Sequence, residues 1–87
     1  MKCALDGRKI IVFGATGRVG KTVCRVLAEQ GADVAVHCNR GREIAENVAE
    51  SVRRSGGKAV TIQGNAADEA DMHRCVREAY DFLGRVD

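Results

Sequence analysis

The feature that most constrains this chain is a regular alternation between short β-branched runs and stretches of helical periodicity. The apolar runs lie at residues 9–13, 34–36 and 59–62. After each run, apolar residues recur at helical spacing. The three stripes are Val19, Val23, Val26 and Leu27; Ile44, Ala45, Val48 and Val52; and Met72, Val76, Ala79, Tyr80 and Leu83. A β-α-β-α-β-α order predicts an α/β fold, in which a parallel sheet is joined by right-handed helical crossovers.

Glycines and one acidic residue predict where the helices begin and end. Gly31, the pair Gly56-Gly57 and Gly84 each follow an apolar stripe, as glycine does just past the end of a helix. Asp68 precedes the third stripe, with Asp71 three residues later, which is typical of a helix N-cap.

The first strand indicates that this sheet is part of a larger fold. In the doubly wound order 3-2-1, the first strand lies at an open edge. Residues 9–13 are nonetheless the most apolar of the three runs, and such a composition suits a strand with neighbours on both sides. We expect residues 1–87 to be a Rossmann half-domain, a fragment of marginal stability on its own. Its exposed first strand would be available for self-association.

Composition argues against nucleic-acid and membrane partners. The 87 residues carry a net charge of +2, and aromatic residues make up 3% of them. Neither a strong basic patch nor a stacking platform for bases is expected from such a chain. The longest fully apolar run, residues 10–13, is far too short to cross a bilayer. The first nine residues have no apolar signal-peptide core, so we expect a cytoplasmic protein.

The cysteines are predicted to be free thiols. Cys3, Cys24, Cys38 and Cys75 form no C-x-x-C pair, and neither histidine completes a zinc pattern. Disulfides are rare in the cytoplasm, and buried thiols behave there as small hydrophobic groups. We therefore predict no metal site and no catalytic residue among them.

The glycine-rich stretch GATGRVGKT, residues 14–22, predicts a phosphate-binding turn. It follows a predicted strand and opens a predicted helix, whose first N–H groups and dipole favour an anion. Gly14 would allow the tight turn, Gly17 the approach of a pyrophosphate, and Gly20 close packing of the helix on the sheet. Glycine suits these tasks because each needs a positive φ or the space of a missing Cβ.

The same stretch ends Gly20-Lys21-Thr22, like a P-loop for nucleoside triphosphates. The strict pattern requires a glycine where Ala15 stands. A triphosphate site also needs a carboxylate for Mg²⁺ near the end of another strand, and neither the second nor the third run supplies one. ATP is therefore the weaker alternative.

The end of the second strand favours NADP(H) over NAD(H). NAD-binding folds place an acidic residue there to hold the ribose 2′-hydroxyl, but Cys38 and Asn39 occupy that region. Arg40 follows directly and Arg42 is close. A guanidinium matches a 2′-phosphate in charge and geometry, although both arginines would also suit a solvated helix start.

From residue 5 to residue 87 the chain resembles the N-terminal half of the short-chain dehydrogenase/reductase family. The resemblance lies in LDGRKIIVFGATGRVG, GADVAVHCNR, GGKAVTIQGNAADEADM and AYDFLGRVD. It implies an oxidoreductase that transfers a hydride between NAD(P)(H) and an alcohol or carbonyl compound. It also implies which residues bind the cofactor. Gly14, Thr16, Gly17, Arg18, Val19 and Gly20 would line the pyrophosphate and ribose, Asn39 and Arg40 the ribose-recognition turn and 2′-phosphate, and Asn65 and Ala66 the adenine.

The chain departs from the family pattern at several positions. Phe13 stands where the family usually has threonine or serine, Arg18 stands where it has glycine, and Asn65 replaces an aspartate. The family's Asn-Asn-Ala-Gly segment, catalytic serine and Tyr-x-x-x-Lys pair would lie beyond residue 87. Tyr80 does not substitute, because Gly84 stands four residues later. Two hypotheses follow: an incomplete dehydrogenase with doubtful activity of its own, and a non-catalytic nucleotide-binding module.

Overall fold

The computed structural model describes residues 5–87, so Cys3 lies outside the described residues. Three strands and three helices alternate as predicted. The strands are β1 (Lys9–Val12), β2 (Asp33–Cys38) and β3 (Ala59–Gln63). The helices are α1 (Arg18–Glu29), α2 (Arg42–Arg54) and α3 (Glu69–Leu83).

The strands form one parallel sheet with β2 in the centre. Lys9 pairs with Asp33 in the register between β1 and β2, and Val36 pairs with Thr61 between β2 and β3. The order β1-β2-β3 is the predicted order 3-2-1 counted from the other edge, so that prediction is confirmed. All four β1 residues are only half-buried, whereas five of the six β2 residues are buried.

The two faces of the sheet carry different numbers of helices. α1 and α2 cover one face, where Val34, Val36 and Val52 lie in the larger apolar cluster. α3 covers the other face alone, where Ala35 and Ile62 pack against its buried residues. The helices thus lie on both faces, as a doubly wound fold requires.

Two predicted apolar stripes are only partly buried. In α1 the buried residues are Cys24 and Ala28, while Val19, Val23 and Val26 are exposed. The predicted apolar stripe of α1 therefore contains three exposed valines, and the buried residues lie outside it. The buried side chains of α1, Cys24 and Ala28, are small, so they allow the helix to approach the sheet closely.

In α3 the burial is similarly selective. Cys75, Ala79 and Leu83 are buried, while Val76 and Tyr80 are exposed. Tyr80 is 54% exposed, so it lies at the rim of the helix rather than in the core. The periodicity of the sequence therefore identified the helix but not which edge of its stripe meets the sheet.

The outer edge of β1 is occupied at its first residue. The Lys9 N–H donates to the Asp87 carboxylate at 2.9 Å, and the Asp87 N–H donates to the Lys9 carbonyl at 2.7 Å. Arg85 donates to the Gly7 carbonyl at 2.9 Å. Residues 85–87 thus lie beside the start of β1 without forming a strand of the sheet. Self-association through the rest of this edge stays a prediction.

The amino-terminal end of the sheet is held by charges that are paired with each other. The Lys9 ammonium bonds to the Asp33 carboxylate, which also accepts the Lys58 backbone N–H at 2.8 Å. Burial raises the pKa of Asp33, but the bonds from Lys9 and Lys58 outweigh burial and hold this pKa below its ordinary value.

Candidate dinucleotide-binding site

Three turns meet at the carboxyl end of the sheet. They are the glycine loop (residues 13–17), the β2–α2 turn (residues 39–41) and the β3–α3 turn (residues 64–68). Ligands of open parallel sheets bind in the crevice outside the carboxyl ends of the strands. All ten residues predicted to bind a cofactor lie in these turns or in the first turn of α1.

Direct contacts join the turns to one another and to the neighbouring strands. The Ala15 N–H donates to the His37 carbonyl at 2.9 Å. A Cβ placed on Gly41 would lie 3.7 Å from Thr16 Cγ2, so the glycine loop and the β2–α2 turn are in contact. The side-chain amide of Gln63 donates to the Asn39 carbonyl at 3.3 Å, which joins the β2–α2 turn to the end of β3.

Glycine is required for different structural reasons at different positions of the loop. Gly14 has a φ of +66°, a left-handed conformation that favours glycine, as the predicted tight turn requires. A Cβ on Gly20 would lie 2.6 Å from Ala15 Cα and 2.7 Å from the Gly14 carbonyl oxygen. Gly20 is therefore needed for close packing, but here α1 packs against the backbone of the glycine loop and not against the sheet.

Gly17 differs from the expectation for it. Its φ is −76°, and a Cβ there would meet nothing closer than the Gly14 carbonyl oxygen at 3.9 Å. Neither backbone strain nor the protein's own packing demands glycine at this position. The missing side chain instead leaves open space over the start of α1.

α1 begins without any side-chain partner for its first N–H groups. Its N-cap is Gly17, no side chain caps it, and no acidic residue lies in its first turn. The N–H groups of Arg18, Val19 and Gly20 have no acceptor within the helix, as in any α-helix. Partial positive charge therefore collects at a surface that the glycine loop leaves open.

Four cations lie at the start of α1 and around the adjoining start of α2. Arg18 and Lys21 lie in α1, and Arg40 and Arg42 flank the glycine N-cap of α2. All four are exposed, and within residues 5–87 none of them forms an ion pair. The site is thus suited to an anion of several charges.

The β3–α3 turn is fixed by its own polar groups. The Asn65 side-chain oxygen accepts the Ala67 N–H at 2.9 Å, and the Asn65 N–H donates to the Asp71 carboxylate at 2.9 Å. Asn65 and Ala66 are exposed at the rim of the site. With its oxygen engaged, Asn65 offers a ligand the N–H₂ side of its amide.

His37 was not identified from the sequence, yet it lies at the centre of this edge. Its side chain is 1% exposed. Nδ1 accepts the Gly14 N–H at 3.1 Å, and Nε2 lies 2.8 Å from the Gly64 carbonyl oxygen. The ring of Phe13 packs at 5.0 Å between centroids. The available signal in the sequence was a polar residue directly after the apolar run 34–36.

The thiols near the site are not activated. Cys24, Cys38 and Cys75 are free and buried, as predicted. Burial raises the pKa of Cys24 to about 11. Burial also raises the pKa of Cys38, with Glu46 adding to the effect and Arg42 opposing it. Thiols held in the protonated form are poor nucleophiles. Residues 5–87 bring together no cluster of metal-ligating side chains.

Comparison with known proteins identifies the family. The sequence profile described as short chain dehydrogenase matches residues 8–87. Versicolorin reductase stcU of Emericella nidulans is 30% identical over 83 residues, which are 95% of this chain and 31% of that protein. The 3-oxoacyl-[acyl-carrier-protein] reductase FabG of Staphylococcus aureus is 31% identical over 80 residues, which are 92% of this chain and 32% of that protein.

Solved structures show the same fold. A short chain dehydrogenase from Burkholderia cenocepacia J2315 in complex with NADP is 29% identical with a TM-score of 0.91, over 95% of this chain and 34% of that one. A hydroxysteroid dehydrogenase from Escherichia coli is 29% identical with a TM-score of 0.88, over 95% of this chain and 35% of that one. The chain spans about a third of the length of these relatives. No helix within residues 5–87 is both long and apolar enough to cross a bilayer.

Proposed function

The chain belongs to the short chain dehydrogenase family, and we propose that it is the cofactor-binding portion of an oxidoreductase that uses NADP(H). The observation that carries the proposal is the start of α1. There an uncapped helix end, a glycine loop and unpaired cations meet at the carboxyl edge of a parallel sheet. That combination fits a dinucleotide with a pyrophosphate and a further phosphate.

The pyrophosphate would lie over the open space at Gly17. It would accept hydrogen bonds from the N–H groups of Arg18, Val19 and Gly20, which are available in the first turn. Thr16, a half-buried residue of the glycine loop that lies next to Gly41, would border the adjoining ribose. When bound, the cofactor supplies or accepts the hydride, and the residues of this chain hold and orient it.

The 2′-phosphate would lie against the β2–α2 turn. Arg40 follows Asn39 directly and carries no ion pair within the described residues, so its guanidinium is available for a bidentate contact. No carboxylate stands at residues 38–42, where NAD-binding folds hold the ribose 2′-hydroxyl. NADP bound to the Burkholderia relative agrees with this preference. The adenine would rest against Asn65 and Ala66.

Turnover is expected to need groups that these residues do not supply. The only tyrosine, Tyr80, lies on α3 and has Gly84 where the family's lysine would stand. We therefore propose that this chain binds the cofactor without catalysing hydride transfer alone, and that an alcohol or carbonyl compound is the substrate of the whole enzyme. A cytoplasmic location is part of the proposal and agrees with the buried free thiols.

Calorimetric titration of the chain with NADPH, NADH and MgATP tests the proposal. We expect NADPH to bind at least about tenfold more tightly than NADH, because one charge-assisted contact contributes about 1.5–3 kcal/mol. Arg40→Ala should remove that difference and leave NADH affinity unchanged. Arg77→Ala, at an exposed residue of α3, is the matched control. Tightest binding of MgATP would overturn the dinucleotide assignment.

A further inference from the structure

His37 carries a feature that the proposed function does not use. It is a buried histidine in β2, and both of its ring nitrogens are bonded to backbone groups of different turns. We propose that His37 is a positioning residue that keeps the pyrophosphate side and the adenine side of the cofactor site in a fixed position relative to each other. This inference rests on the proposed function, since it assigns a role within the same site.

The two bonds define the state of the ring. The Gly14 N–H can only donate, so Nδ1 at 3.1 Å accepts and carries no proton. The Gly64 carbonyl can only accept, so Nε2 at 2.8 Å is the protonated nitrogen. His37 is therefore a neutral imidazole in the Nε2–H tautomer. Both nitrogens are engaged and the side chain is buried, so no ligand can reach them directly.

The first bond acts on the glycine loop. Gly14 holds a left-handed φ of +66°, and its N–H is bonded to the His37 ring. The next N–H, that of Ala15, donates to the His37 carbonyl at 2.9 Å. Side chain and main chain of one residue thus bind two successive amides of the loop. Ala15 in turn is the residue on which Gly20 packs, so the loop's attachment to β2 also sets where α1 begins.

The second bond acts on the β3–α3 turn. Gly64 is held twice: its carbonyl accepts from His37 Nε2, and its N–H donates to the Cys38 carbonyl at 3.0 Å. Asn65, the predicted adenine contact, is the next residue. Asp71, Arg74 and Cys75 of α3 lie around Gly64 on its far side. Within residues 5–87, His37 is the one side chain that is hydrogen-bonded to both turns.

His37 would raise cofactor affinity by holding the two turns in place before the cofactor binds. A site that is formed only part of the time binds its ligand more weakly in proportion to the formed fraction. Losing His37 would leave the Gly14 N–H and Gly64 carbonyl without their buried partner, which favours displaced turns. If the correct arrangement falls to about a tenth of the population, the affinity falls about tenfold.

Substitution at His37 tests this role through NADPH affinity. His37→Leu removes both bonds, whereas His37→Asn keeps an acceptor near the position of Nδ1. Ile62→Val, in the apolar cluster under α3, is the control for general loss of core stability. We expect NADPH affinity to fall about tenfold in His37→Leu, to recover at least partly in His37→Asn, and to be unchanged in Ile62→Val. A folded His37→Leu with wild-type affinity, or a folded His37→Asn as weak as His37→Leu, would overturn the proposal.

Nitrogen-15 NMR of the unsubstituted chain tests the bridge, meaning the two hydrogen bonds that join His37 to Gly14 and Gly64. This test works even if His37→Leu does not fold. We expect a single Nε2–H tautomer for His37 and slow exchange of the Gly14 amide proton. His73, the other histidine, lies exposed on α3 and should average between tautomers. If His37 averages between tautomers as His73 does, the bridge is overturned.

The failure of this inference can be distinguished from that of the proposed function. If His37 is fixed in one tautomer but no dinucleotide binds, the proposed function fails and the positioning role fails with it. If NADPH binds equally to all folded variants, only the positioning role fails.

Discussion

Two helices in this chain begin at the same edge of the sheet in opposite ways. α3 starts at Asp68, whose carboxylate accepts the Asp71 N–H at 3.1 Å, and its first turn contains Glu69 and Asp71. α1 starts at Gly17, with no side-chain cap and no acidic residue. The start of α3 is therefore stabilised by its own capping side chain and carboxylates, whereas the start of α1 has neither.

The difference agrees with the proposal that the start of α1 binds a ligand. A cap and nearby carboxylates are the ordinary means of stabilising a helix start, and α3 shows that this chain uses them. Their absence from α1 leaves the helix less stable by the same physical argument. A bound dinucleotide phosphate would supply the missing anion and the missing acceptors.

Giving α1 the kind of start that α3 has should have the largest effect. Gly17→Asp places a carboxylate at the N-cap, where an added Cβ meets nothing closer than 3.9 Å. The helix should gain a few tenths of a kcal/mol, while repulsion of the pyrophosphate, up to about 4 kcal/mol at contact distance, should weaken NADPH binding at least about a hundredfold. Calorimetry and urea unfolding together measure both changes.

The matched control for that experiment is Gly17→Asn. It offers a cap of similar size without the charge and should retain much more of the binding. If Gly17→Asp binds NADPH as tightly as the unsubstituted chain, the start of α1 is not the phosphate site.

Gly20→Ala should have the next largest effect, this time on stability. Alanine normally stabilises a helix by about 1 kcal/mol relative to glycine. Here the new Cβ would lie 2.6 Å from Ala15 Cα, so backbone must move, and we expect a net loss of about 1–3 kcal/mol. Urea unfolding measures the change. Gly17→Ser, which has room for its side chain, should stay within about 0.5 kcal/mol, and an equal loss there would contradict the packing argument.

Removing the cap of α3 should have the smallest effect. Asp68→Ala should lower the free energy of unfolding by about 1 kcal/mol, and Asp68→Ser should restore most of it. NADPH affinity should stay within about twofold in both, because the cap belongs to the helix rather than to the ligand. Weaker binding by Asp68→Ala than by Gly17→Asp would reverse the comparison between the two helix starts.

Much of this contrast could be predicted from the sequence. Asp68 with Asp71 indicated a capped helix, and the glycines of residues 14–20 indicated an open loop. Both are local patterns that reflect local geometry. The α/β order was equally predictable, because alternating hydrophobic periods admit few topologies.

Other features depend on contacts between distant segments and could not be predicted in this way. Val19, Val23 and Val26 share a helix face, but only the approach angle of α1 decides that Cys24 and Ala28 meet the sheet. The bridge formed by His37 joins residues that are 23 and 27 positions away from it. Hydrophobic periodicity is a property of one helix or strand at a time, so it does not predict a contact between distant elements.

Amide chemical shifts recorded during titration with NADP⁺ show whether the dinucleotide binds at the start of α1. We expect the largest changes at Arg18, Val19 and Gly20, with further changes at Arg40 and Asn65 and little change at Glu69 to Asp71. The contradicting result is binding that leaves the amides of α1's first turn unchanged while those at the start of α3 shift.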